Sequence, residues 1–160
     1  MQIRDAEIIR LIERIGEHYQ SNISNRFIRP LLLQLPMDKQ TLDMIEILTE
    51  KSSHFVYQGF HLDDLYHQIM ATARFIALAR RELVPGLRNR LSNASTSSAD
   101  RVIRDMAVNN FGSNLQLFSD LINELYVKLV EIDKREAKGK MPLYTQISEL
   151  RDIGRLLIGG

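Results

Sequence analysis

Arg74, Arg81 and Arg88 stand seven residues apart, so on a continuous helix they share one face and present a row of planar guanidinium forks. Forks of this kind suit carboxylates and phosphates. The row lies in the stretch 74–104, where seven arginines are opposed only by Glu82 and Asp100. Recognition of an acidic protein surface is the chemistry it offers, provided that Pro85 kinks the helix without ending it. Nucleic acid is not expected, because no aromatic side chain is interleaved with the arginines to stack on bases. A net charge of +1 also gives little bulk attraction to a polyanion or an anionic membrane. The bland alternative is that the row is simply a solvated helix face.

A second group of polar residues could form an internal site for a small ligand or a divalent cation. Asp64 and His67 are spaced three apart behind Asp63, with His54 and His61 upstream, which puts an imidazole and a carboxylate on one helical turn. Arg80 projects onto the same stripe as Leu62, Ile69, Ala73 and Ile76, and a guanidinium among apolar side chains must find a partner. Asp105, Asp120 and Glu124 are candidates, beside the cluster Asn109, Asn110, Asn114 and Asn123. The possible site is therefore Arg80, Asp64 and His67 with Asn110 and Asn114. Against metal binding, the chain has neither the Glu-x-x-His pair of di-iron bundles nor a His-x-x-x-His. It also has no cysteine, hence no disulfide, thiolate ligand or thiol nucleophile. Paired acids such as Glu46 with Glu50 or Glu13 with Glu17 are routine on exposed helices and lack an oriented base. No nucleophile elbow, phosphate-cradling loop or dinucleotide fingerprint occurs. We expect no catalytic residue, metal or cofactor, and a protein that is not an enzyme.

The elements that must position these residues are helices. Val108, Phe111, Leu115, Phe118, Ile122, Leu125, Leu129 and Ile132 alternate three- and four-residue steps, the signature of one apolar seam. Ser97 and Asp100 at the start, and Lys134, Arg135, Lys138, Gly139 and Pro142 at the far end, predict a single helix over about 99–135. Such a helix would be about 55 Å long, against a diameter of roughly 40 Å for a compact chain of this size. The seam therefore either organises an elongated bundle or offers part of itself to a partner.

Around it, Ile8, Ile12, Ile15, Tyr19, Ile23 and Phe27 predict a first helix that ends or kinks at Pro30. Asp38 is a plausible cap for a short second helix with Leu42, Ile45 and Leu48 inside. The aromatic stretch His54–Phe60 reads as a connector. A third helix from about His61 carries one stripe of Leu62, Leu65, Ile69, Ala73, Ile76 and Leu83, and a second of Ala71, Phe75 and Leu78; apolar on two sides, it should be central. Residues 92–98 read as a mobile loop. Thr145 is the expected cap of a last helix bearing Ile147, Leu150, Ile153 and Leu157.

Together these features predict an all-α protein: an elongated up-and-down bundle of four main helices in residues 1–140, with a linker and a short C-terminal docking helix in 141–160. The docking helix would sit on the bundle or on a partner. Ordinary composition, at 44% apolar and 26% charged, suits a soluble globular domain. The acidic residues Asp5, Glu7 and Glu13 interrupt any leader-like apolar run, and no window of eighteen apolar residues occurs, so a cytoplasmic protein without a membrane span is expected. The expected function is non-enzymatic adaptor or assembly work through protein–protein contact, by self-association or by docking a partner helix.

Overall fold

In a computed structural model of the chain, the described residues are 2–28, 61–85 and 98–158, with the isolated positions 39, 42, 43 and 46; Ile28 and 98–107 are described as backbone only. The protein is all-α. Helix α1 spans Ala6–His18 and continues as a π-helical stretch Tyr19–Ile28; α2 spans Leu62–Leu78 and continues as a π-helical turn Ala79–Leu83. Helix α3 is Ser98–Ala137, α4 is Leu143–Gln146, and a 3₁₀ turn Ser148–Asp152 leads into α5, Ile153–Ile158. Lys39, Leu42, Asp43 and Glu46 are helical where the short second helix is expected. The rest of that helix, Pro30, the aromatic connector and the loop 92–97 lie outside the described residues.

Each long helix exists for reasons visible in its residues. Asp5 starts α1 by accepting hydrogen bonds from the amides of Glu7 (2.9 Å) and Ile8 (3.2 Å), which satisfies two amides that lack intrahelical partners. All six residues of its apolar row are buried. The widened π turns keep Tyr19, Ile23 and Phe27 on that row at steps of four. Both stripes of α2 are buried in full, along with Tyr66, Met70, Thr72 and Ala79, as befits a helix with neighbours on several sides. The α3 helix, at 40 residues, is about 60 Å long. It stops where Lys138 (φ 50°) and Gly139 (φ 85°) both turn left-handed.

Pairings along α3 give the directions. Glu7 meets Lys128, Tyr19 meets Phe118 and Phe27 stacks on Phe111, so α1 runs antiparallel to α3. Tyr66 reaches Asp133 and Arg80 reaches Gln116, so α2 does the same. Tyr19 also packs edge-on against Phe75, which joins α1 to α2. The last segment repeats the pattern, with Leu143 beside Asp133 and Leu157 beside Ser119. Among the described residues, three antiparallel runs therefore pack on one spine. From Val108 to Leu129 every seam residue is buried, and Ile132 is half-buried. The seam is spent inside the chain along this length rather than held out to a partner. Each such side chain contributes about 1.5–3 kcal/mol before ordering entropy is charged.

Candidate functional site

One group of polar side chains that enters this core lies at the seat of the C-terminal segment. Leu150, Ile153 and Leu157 drop into the core between α2 and α3. The backbone end of α5 is then held from both sides. Arg80 Nη1 donates to the carbonyls of Leu157 (2.7 Å) and Leu156 (3.3 Å), and Ser119 Oγ donates to Leu157 O at 2.7 Å. These are carbonyls that a helix end leaves without intrahelical donors, and a cation there also complements the helix dipole. Arg80 Nη2 donates to Gln116 Oε1 (2.9 Å), and Gln116 in turn donates to Asp120 (2.9 Å). Burial lowers the Arg80 guanidinium from its ordinary range, and the charge of Asp120 opposes that. Arg80 thus finds its partners as the sequence requires, but they are backbone carbonyls and an amide, with the expected Asp120 one step removed. Arginine's fork makes this possible, since it can serve two carbonyls and a side chain at once.

The other end of the segment is seated by a carboxylate. Buried Asp133 accepts from the amides of Leu143 (3.0 Å) and Tyr144 (2.8 Å) and from the Tyr66 hydroxyl (2.8 Å). It caps α4 from the neighbouring helix. Thr145, expected as the cap, instead lies inside α4 and donates its hydroxyl to Pro142 O. The expected single last helix is broken at Ile147, whose extended backbone (φ −100°, ψ 96°) separates α4 from the 3₁₀ turn. Burial, reinforced by the contact with Asp133, pushes the Tyr66 phenol above its ordinary value of 10.0.

A third polar string crosses between α1 and α3. Asn22 Nδ2 lies 3.1 Å from His18 Nδ1, and His18 Nε2 lies 3.1 Å from Asn114 O. The imidazole tautomer protonated at Nε2 satisfies both contacts. The ring stacks on Phe118, and the Asn114 amide donates to Asn110 O.

The residues nominated for an internal polar site are not brought together. Asp64 and His67 are exposed in the first turns of α2. Arg80 is thirteen residues beyond His67, or about 20 Å along a helix. Asn110 and Asn114 serve the string with His18. Among the described residues, no group of three or more His, Asp or Glu side chains is placed to hold a metal ion. Of the arginine row, Arg74 and Arg81 are exposed on α2 and Arg88 lies outside the described residues. Arg74 pairs with Glu149 of the C-terminal segment at 3.5 Å, and Arg81 with its neighbour Glu82 at 3.4 Å.

Sequence reasoning passed over Ser119, Asp133 and His18. Two of them had a signal: Ser119 follows Leu115 by four and Asp133 follows Leu129 by four, so both flank the seam where a polar residue needs a reason. His18 had none, because its partner is a backbone carbonyl 96 residues away. At the end of the bundle where Gln2 and His61 form an isolated bridge, a shallow hollow of about 520 Å³ is lined by His61, Asp63, Asp133, Glu136 and Lys140, among others. Among the described residues, no helix is long and apolar enough to cross a membrane. No protein-family model, curated protein or solved structure matches the chain.

Proposed function

We propose that this chain is a non-enzymatic assembly protein that works through helix docking, by self-association or by receiving a partner helix. The observation that carries this reading is the seat itself. Between α2 and α3 the bundle holds an amphipathic segment through three buried apolar side chains and two donors aimed at its last carbonyls. Helix-in-groove recognition uses these same parts: apolar anchors at helical spacing and polar contacts that fix register. The segment is short, and eleven residues of 3₁₀ and α-helix are marginal in water on their own. Its helicity therefore depends on the groove.

The arginine row fits this reading in modified form. Arg74 recognises an acidic group, and in this structure that group is Glu149 of the chain's own C-terminal segment. Exposed apolar side chains on α3, Leu117 at 55% and Val127 at 48% exposure, add surface on which further contact gains free energy. A small-ligand or metal reading would need Arg80, Asp64 and His67 to converge, and the length of α2 keeps them apart.

Light scattering on a sizing column tests the proposal, with the full chain compared against one truncated after Lys140. The expected result is a concentration-dependent dimer that the truncation abolishes. A full chain monomeric at every concentration, with truncation changing nothing but the mass of the missing residues, would contradict it.

A further inference from the structure

The hinge before the C-terminal segment holds two consecutive residues in the left-handed region. Lys138 has φ 50°, a left-handed conformation that strains any residue with a Cβ. Gly139, at φ 85°, tolerates it. The turn is tied by one backbone hydrogen bond, from the Lys140 amide to Ala137 O at 3.0 Å. If the backbone at 138–140 relaxes into ordinary helical geometry, α3 simply continues and the strain at Lys138 is lost. Pro142 then disfavours helix at Met141, so the chain leaves α3 there, away from its own groove. A short hinge under strain is the condition under which identical elements exchange between copies.

We propose that segment 143–158 of a second copy of this chain docks in the α2–α3 groove in place of the chain's own. This rests on the assembly reading above and names its partner. The groove is matched to this segment in chemistry as well as shape. Arg74 takes Glu149, Asp133 takes the amides of Leu143 and Tyr144, and Arg80 with Ser119 takes the carbonyls of Leu156 and Leu157. In the exchanged dimer every one of these contacts forms between copies. Nothing is lost except the freedom of the separate chains, so mass action sets the balance.

Two hinge substitutions act on this balance in opposite directions without touching the groove. Gly139→Ala puts a Cβ into a left-handed position; no atom lies within 4 Å of that Cβ, so only the backbone feels it, and the closed hinge is disfavoured. Lys138→Gly relieves the closed hinge and weakens the continuous helix. The dimer contains two hinges. Relative to the natural chain, Gly139→Ala should tighten self-association roughly 30-fold and Lys138→Gly should loosen it to a similar degree. Light scattering of all three chains from micromolar to millimolar concentration reads the order, with circular dichroism confirming that each is folded. Dimerisation ranked Gly139→Ala, natural, Lys138→Gly supports exchange. Equal dimerisation in all three overturns exchange but leaves self-association through another surface standing. Three chains monomeric throughout overturn exchange and self-association together.

Discussion

Arg80 lies on an apolar stripe of α2, where an unpaired charge would cost several kcal/mol. It is retained because it carries the last carbonyls of α5, each a charge-assisted hydrogen bond worth about 1.5–3 kcal/mol net. Arg80→Ala should therefore lower stability by about 2–4 kcal/mol in chemical denaturation, and Arg80→Lys should recover only part, since one ammonium cannot span the same acceptors. Arg81, one residue on, is exposed and, among the described residues, pairs with its neighbour. Arg81→Glu should shift stability by less than about 0.5 kcal/mol. A large loss there would mean that the arginine face is buried after all. Tyr66 adds a pH dependence. Its folded phenol titrates above the ordinary value of 10.0 because burial and Asp133 disfavour the phenolate. A raised folded value means that its contribution is complete below about pH 10 and is lost above it, as the unfolded phenol ionises and the folded one does not. Stability should fall by up to about 1.4 kcal/mol per pH unit beyond that point for this group, with Tyr126, also raised by burial, acting in the same sense. Tyr66→Phe should flatten that alkaline limb in pH-dependent thermal melts.

Among the elements, α3 bears the greatest consequences. Leu125 is fully buried, so Leu125→Asp should unfold the protein by burying an unpaired carboxylate, and Leu125→Ala should cost about 2–5 kcal/mol. Gly112 sits in mid-helix with open space where a Cβ would go. Gly112→Ala should gain about 0.5–1 kcal/mol, seen as a rise of roughly 1–4 °C in Tm. These effects follow from what was legible in the residues: the seam from Val108 to Ile132, the six-residue row of α1 and both stripes of α2 can be read from spacing alone, because a helix facing a core must repeat near 3.6. The departures share a cause. The π-helical continuations Tyr19–Ile28 and Ala79–Leu83 leave only a faint mark in apolar spacing: the unbroken four-residue steps of Ile15, Tyr19, Ile23 and Phe27 suit a widened turn better than a 3.6-residue one, but they still read as an ordinary apolar row. The break at Ile147 and the capping of α4 by Asp133 depend on a contact made across the turn, not on residues adjacent in the chain. For the same reason the seat was only half visible: Arg80 stood out as a charge on an apolar stripe, while its acceptors are main-chain carbonyls, which every residue has.

For the molecule as a whole, the spine and the two helices on it bury the apolar rows that define them. One set of interior polar side chains fastens the C-terminal segment, at one end through Asp133 and Tyr66 and at the other through Arg80 and Ser119, while His18 and Asn114 join α1 to α3. That fastening gives the segment a seat of its own, and it is why assembly through helix docking is the function proposed. Native-state hydrogen exchange resolved by residue tests separability most directly. The amides of 148–158 should open together, well below the free energy of global unfolding, while those of 108–129 in α3 exchange only through global unfolding, and Arg80→Ala should lower the opening free energy of 148–158 further than that of α3. If the amides of 148–158 exchange only with the core, at the same opening free energy as α3, the segment is an integral part of the bundle and the account is wrong.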